Sequence, residues 1–389
     1  MAKRSRSSGN KKGSPTSRLL MLLLLILIVA VAYAMGIDLN ELGVTTESTP
    51  AAVEVTPTVG EWYELYFTQP IHSNDESRHT GSTAEQALIR SIDAAQTSID
   101  AALFELNVPD TTAALVRAAE RGVKIRVVAD DEHNFDDPTS LLSEVIDAGA
   151  EAISDERSAL MHNKYFIIDA QTLWMGSMNI TRNDIYNNNN HYFKFVVPQL
   201  VANYQADFDE MFVDGAFSDR DDTRPVPNPV IVVDGTRIEN FYSPDQGEEI
   251  EARLEELIRA SQSSIHIMTF SFTIEELGDA LLEQHTNGVD IKGVFENTGS
   301  LQGQMPRLAC AGIEVHQDGS PDKLHHKVMI FDESIVVVGS LNFSASARDN
   351  NSENTLIIHN PQIAQAFLTE WQAIYDAGVV PTAEELACP

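Results

Sequence analysis

The sequence predicts an α/β fold built from two duplicated domains with mainly parallel sheets, preceded by one N-terminal transmembrane helix. Three observations predict it. A long motif occurs twice, every matched residue displaced by 163 positions. Around each copy, short apolar strand-like runs alternate with amphipathic helical ones in the same order, the pattern of sheets covered by helices. Ahead of both stands a single uncharged apolar run behind a basic leader.

Taken in order, residues 1–18 carry Lys3, Arg4, Arg6, Lys11, Lys12 and Arg18, with no acidic residue before Asp38. Leu19 to Met35 then runs for 17 apolar residues, roughly 25 Å as a helix at 1.5 Å per residue and enough for a bilayer core. The charge bias keeps the leader in the cytoplasm. Residues 19–37 read as a membrane anchor, or as a signal peptide cleaved after Ala34 within Ala32–Tyr33–Ala34. Either way the remainder lies outside the cytoplasm, secreted or tethered. Residues 38–60, rich in Thr, Pro, Glu and Val, read as a flexible stalk.

The first domain spans 61–217. It opens on a strand candidate at Tyr63 to Thr68, then helical spacing from Ala84 to Ala95 and a buried strand from Ser98 to Leu106. Helices follow at Thr111 to Arg121 and Leu141 to Ala148, ended by Gly122 and Gly149, with the strand Val123 to Ala129 between them. Pro198 to Phe212 closes the unit. A polar, Pro-containing connection, 218–229, leads to the second domain, 230–389, where the order repeats. Gln96, Ile99, Phe104 and Gly122 return at Gln262, Ile265, Phe270 and Gly288, 166 positions on, before the offset settles at 163.

The motif itself reads His162–Asn163–Lys164, Asp169, then Gly176–Ser177–Met178–Asn179; its second copy is His325–His326–Lys327, Asp332, then Gly339–Ser340–Leu341–Asn342. The apolar runs after each Lys and before each Gly predict two strands around a turn. His and Lys two apart on a strand share a face. One copy thus offers an imidazole, an ammonium, a small Ser and an Asn amide. Two copies facing one cavity describe a phosphodiester site that needs neither metal nor cofactor.

This duplicated pattern resembles the phospholipase D superfamily, the HKD family, from about Tyr63 onward. The resemblance implies two halves packed about a pseudo-twofold with both motifs at their interface, a monomer with an internal pseudo-dimer. It also implies that one His attacks phosphorus to give a phosphohistidine while the other protonates the leaving oxygen. Lys164 and Lys327 neutralise the phosphate. Asn179 and Asn342 bind it, joined in the substrate-binding set by Ser177 and Ser340, which read more as support for the turn. Asp169 and Asp332 fall at strand–turn junctions and read as framework. At the matched position beyond each Gly-Ser-x-Asn stand Asn190 and Glu353, where the family carries an acid that orients the histidine of the opposite half. On that crossing Glu353 supports His162 as nucleophile, and His325, facing neutral Asn190, acts as acid and then base; swapped roles are the alternative.

The whole chain carries 26 basic and 58 acidic residues. Without the leader's six cations the balance is more negative still, which disfavours nucleic acid as a partner and, with the tether, favours a phospholipid substrate. An extracytoplasmic nuclease and a cardiolipin synthase-like transferase are the alternatives. Asp130–Asp131–Glu132–His133 with Asp136–Asp137 reads as a solvated loop rather than a Ca2+ site. The run Asn187 to Asn190 either contacts substrate or caps a strand. Cys310 and Cys388 are the only cysteines; export permits a bridge, but the apolar, helix-like setting of Cys310 argues against one.

Overall fold

A computed structural model describes residues 57–217 and 225–388. The basic leader, the anchor or signal segment, all but the end of the 38–60 stalk, and 218–224 of the connection between halves lie outside the described residues. Among the described residues no helix is long and apolar enough to cross a membrane.

The first half contributes strands β1 (Thr58–Val59), β2 (Tyr63–Phe67), β3 (Ser98–Leu103), β4 (Lys124–Ala129), β5 (Glu151–Ser154), β6 (Lys164–Ile168), β7 (Thr172–Gly176) and β8 (His191–Phe195). The second contributes β9 (Val230–Val233), β10 (Thr236–Ser243), β11 (Ser264–Thr269), β12 (Asp290–Phe295), β13 (Glu314–Gln317), β14 (Lys327–Phe331), β15 (Ile335–Gly339) and β16 (Glu353–His359). Each set forms one eight-stranded sheet, in the orders β1-β2-β8-β7-β6-β3-β4-β5 and β13-β12-β11-β14-β15-β16-β10-β9.

The sheets are mixed, which corrects the expectation of mainly parallel ones. Only β3–β4 and β4–β5 are parallel in the first sheet, and β11–β12 and β12–β13 in the second. A parallel pair needs a crossover, and each of these pairs is joined by one that carries a helix. The motif strands β6 and β7 form a tight hairpin, and β8 and β2 extend it antiparallel. The short edge strands β1, β5, β9 and β13 escape sequence reading because they lack a long apolar run.

Helices α1 (Thr83–Ala94), α2 (Pro109–Glu120) and α3 (Leu142–Asp147) cover the outer face of the first sheet, and α4 (Arg182–Tyr186) follows the motif. The long helix α5 (Pro198–Asp214) crosses the inner face and presents Leu200, Tyr204, Phe208 and Met211 as one buried stripe. The second half repeats this with α6 (Gly247–Ala260), α7 (Glu275–Thr286), α8 (Met305–Cys310), α9 (Ala345–Asp349) and α10 (Pro361–Ala377), and ends in α11 (Ala383–Leu386). On β6, Tyr165 and Ile167 join the central core while Phe166 and Ile168 enter the outer one. The strand is buried on both faces, so its sequence is continuously apolar. That central core takes residues from both halves, from Phe193 and Phe208 to Leu356, Phe367 and Trp371, and fixes them as one body.

Cys310 and Cys388 are bridged, with Cα atoms 5.4 Å apart, against expectation. Helix α8 buries only Met305 and Leu308 among its six residues. Cys310 therefore falls on its exposed side, where the C-terminal tail passes.

Candidate active site

The two motifs meet because one backbone bridge crosses from each half to the other. His162 N–H donates to the carbonyl of Ser352 at 2.9 Å and Ser352 N–H to that of Leu160 at 2.9 Å; the mirror pair is His325 to Asn189 and Asn189 to Lys323, both 2.9 Å. This register sets the residues after Ser352 and Asn189 beside the opposite imidazoles. Glu353 Oε2 lies 2.8 Å from His162 Nδ1, and Asn190 Oδ1 lies 2.9 Å from His325 Nδ1. The crossing expected from the resemblance is thus the geometry found. It occupies Nδ1 of both rings and leaves Nε2 of each for the cleft.

Backbone N–H groups one residue upstream are held in parallel fashion. Met161 N–H donates to Asp130 at 3.1 Å and Leu324 N–H to Glu296 at 2.8 Å. Asp130 also accepts from His133 and is buried, so the 130–137 segment is not simply a solvated loop. Each Lys donates to the carbonyl of its own motif histidine, Lys164 at 2.5 Å and Lys327 at 2.8 Å. Their ammoniums sit 4.9 and 5.0 Å from the ring centres of Phe104 and Phe270, the recurrent aromatics of the sequence. The same rings stand edge-on to His162 and His325.

On the reverse face of the motifs the halves interlock. Asn354 donates to Asn163 at 2.6 Å, and the buried rings of His191 and His326 meet Nδ1 to Nδ1 at 3.1 Å.

Burial dominates the electrostatics. It pulls Lys164 from 10.5 to about 8, against the attraction of Glu353, and pulls Lys327 well below its ordinary value, helped by Lys164. Burial also lowers both imidazoles well below 6.5, with Lys164 and Lys327 adding to the effect on His162. For Glu353 burial wins over Lys164 and raises the carboxyl to about 8. Two desolvated lysines face each other with Glu353 and Asp184 as their nearby counter-charges, and an entering phosphate would favour their charged forms further.

Asn179 and Asn342 complete the cleft. Their side-chain oxygens are buried without a hydrogen-bond partner, and such groups require one from a ligand or water. Ser177 and Ser340, placed in the substrate-binding set by the sequence, are instead fully buried beneath it. Ser177 donates to Asn190 Oδ1 at 2.8 Å, and Ser340 accepts from Asn354 N–H at 3.0 Å. The glycines before them are required by close approach: a Cβ on Gly176 would stand 2.3 Å from the His191 carbonyl, and one on Gly339 2.2 Å from that of Asn354. Asp169 and Asp332 lie away from the cleft. Each carboxylate gathers three backbone N–H groups at the entry to β3 or β11, from Gln96, Thr97 and Ser98 or from Gln262, Ser263 and Ser264.

Asn187 to Asn190 turn out to be packing and positioning residues: Asn187 accepts from Ser73 N–H, Asn188 from Lys323 N–H, and Asn189 forms an isolated backbone bridge with Leu324. The sequence reading missed Asp184 on α4. Its Oδ1 lies 3.3 Å from His325 Nδ1. The signal was present as an acid six residues before the neutral Asn190, with Ala347 at the matched place in the other half. Among the described residues no group of three or more His, Cys, Asp or Glu is arranged to hold a metal ion.

Two imidazole–ammonium pairs on one cleft, built on a duplicated α/β body, define a two-motif phosphoryl-handling class. The family described as "Cardiolipin synthase, PLD-like domain" matches residues 88–212 and 254–375, one copy per half and more than half of the chain. The chain belongs to this phospholipase D-like family. It is 34% identical over 132 residues to the mitochondrial cardiolipin hydrolase of Homo sapiens, covering 33% of this chain and 52% of that protein. It is 27% identical over 138 residues to a phospholipase D of Rickettsia bellii, covering 35% of this chain and 68% of that one. The match thus takes in only about half the length of the human relative. In fold, the phosphatidylserine synthase of Haemophilus influenzae is similar over 82% of this chain and 87% of its own, with a TM-score of 0.62 at 14% identity.

Proposed function

We propose that the chain is a phosphodiesterase of the phospholipase D type that acts on phospholipid headgroups without a metal. One observation carries the reading: two buried His–Lys pairs share one cleft, and each imidazole is tethered through Nδ1 to the opposite half. Lys164, Lys327 and the amide N–H groups of Asn179 and Asn342 take the non-bridging phosphate oxygens, the positive charge a phosphorane requires. His162 Nε2 attacks phosphorus, the bond from phosphorus to the headgroup oxygen breaks, and His325 Nε2–H protonates that oxygen. Water then attacks phosphorus, His325 removes its proton, and the P–N bond breaks to release the phosphatidyl group. An alcohol in place of water gives headgroup exchange.

A lipid substrate is favoured by the acidity of the body, which repels polyanions, and by the relatives, a cardiolipin hydrolase and a phospholipase D. The apolar N-terminal run behind a basic leader and the Cys310–Cys388 bridge support an exported, tethered protein, since disulfides persist in oxidising compartments. The test is to incubate purified protein in EDTA with phosphatidylcholine vesicles, cardiolipin vesicles and plasmid DNA. Lipid turnover that His162→Ala and His325→Ala both abolish supports the reading. Turnover of DNA alone transfers the same chemistry to a nuclease, and no turnover without added divalent ions ends the metal-free mechanism.

A further inference from the structure

The two imidazoles have unequal partners at the positions the motif register selects. Glu353 meets His162 directly, whereas its counterpart at His325 is the neutral Asn190. A carboxylate is nevertheless present. Asp184, almost fully buried, sends Oδ1 to within 3.3 Å of His325 Nδ1, and that oxygen also accepts from Asn188 at 2.7 Å and Asn190 at 3.0 Å. Its second oxygen accepts from Asn179 N–H at 3.2 Å. The exchange is internally matched: where the first half has Asp184 and Asn190, the second has Ala347 and Glu353, 163 positions on, while Asn188 and Asn351 are the same residue.

We infer that Asp184 is the positioning carboxylate of His325, doing from α4 what Glu353 does for His162 from β16. The inference rests on the proposed roles of the two histidines. Asn190 then acts as a spacer. It accepts from the imidazole with its oxygen and donates to Asp184 with its nitrogen, so the charge reaches Nδ1 both across 3.3 Å and through the amide. Other charges facing His325 are Lys327, two residues on at the start of β14, and Lys164 and His162 from the opposite motif. Glu105 faces Asp184 from beyond β3. Lys327, Lys164 and His162 oppose an imidazolium at His325, and Asp184 favours it. Burial works against ionised Asp184, but His325 and the amides of Asn188 and Asn190 hold it below the ordinary carboxylate value.

The decisive variants are Asp184→Ala and Asp184→Ala/Asn190→Glu, the second giving the first half the pattern of the second. Full-length protein is assayed on bis(p-nitrophenyl) phosphate in EDTA, and the His325 ring is titrated by 15N NMR, assigned with His325→Ala. Asp184→Ala should lower kcat about 10²-fold, in the range general acid–base groups contribute. It should also move the His325 midpoint, and the matching limb of the pH–rate profile, down by at least about one unit, the usual effect of a lost counter-charge. The double variant should recover most of both. A merely structural Asp184 predicts a lower Tm, an unmoved midpoint and no rescue by Asn190→Glu, and that result overturns the inference. If wild-type protein hydrolyses no diester, the proposed function fails by itself, and the ring titration still decides whether Asp184 governs His325.

Discussion

Replacing Glu353 by Gln separates what the site needs for chemistry from what it costs in stability. The amide keeps the shape and can still accept from His162 Nδ1–H, but carries no charge. Chemistry suffers above pH 8, where the carboxyl 2.8 Å from Nδ1 is ionised, fixes the tautomer and supports the cation that forms when Nε2 becomes bonded to phosphorus; kcat is compared there. A counter-charge at that range shifts an imidazole by about 1–3 units, and loss of the equivalent carboxylate in a catalytic triad costs about 10⁴, so kcat should fall by about 10² to 10⁴. Stability should move the other way with pH. The folded state raises the Glu353 carboxyl from 4.5 to about 8, so it holds a proton that the unfolded chain has lost across that interval. A folded state that binds more protons than the unfolded one loses stability as pH rises. At about 1.4 kcal/mol per unit, the wild type should lose on the order of 4 kcal/mol relative to Glu353→Gln between pH 4.5 and 8. Urea unfolding of both proteins at pH 5, 6.5 and 8 measures the difference. If that difference stays flat with pH, or if the variant keeps wild-type kcat, the picture of a buried charge retained for catalysis is wrong.

Other outcomes follow from the same geometry. Asp169→Ala strips an acceptor from three backbone N–H groups and should cost about 1–3 kcal/mol in urea unfolding while leaving kcat unchanged. Asn179→Ala and Asn342→Ala remove amide donors from the phosphate and should reduce kcat/KM about 10- to 100-fold, as lost oxyanion donors do, with no change in Tm. Cys310→Ser/Cys388→Ser opens a closure of 78 residues and should cost about 2–4 kcal/mol, seen as a lower urea midpoint; the tail it anchors is far from the motifs in sequence, so specific activity should hold.

The motif residues were legible because each performs one job at one spacing, and the repeat of that spacing in a single chain exposed them. His162, Lys164, His325, Lys327 and Glu353 pair across the halves on the sequence alone, since the resemblance supplies the crossing. Strand direction was not legible. An apolar run such as Val123 to Ala129 looks the same whether its neighbour is parallel or antiparallel, and only the connection lengths decide. Asp184 was hidden for a different reason: it reaches its partner through α4, a five-residue helix too short to show a period. Cys310 was misjudged because apolar composition was taken for burial on a helix that hides only one side.

The backbone exchange between Leu160–His162 and Ser352, and between Lys323–His325 and Asn189, makes competence a property of docking. A half that folded perfectly but stood apart would carry its own imidazole and ammonium, yet the acid that tunes that imidazole, or the amide spacer that does so, would be stranded on the other piece. Chain scission near 218–224 followed by separation of the pieces would therefore give two inert fragments whose activity returns only on reassembly, at a rate set by how quickly the fragments find each other.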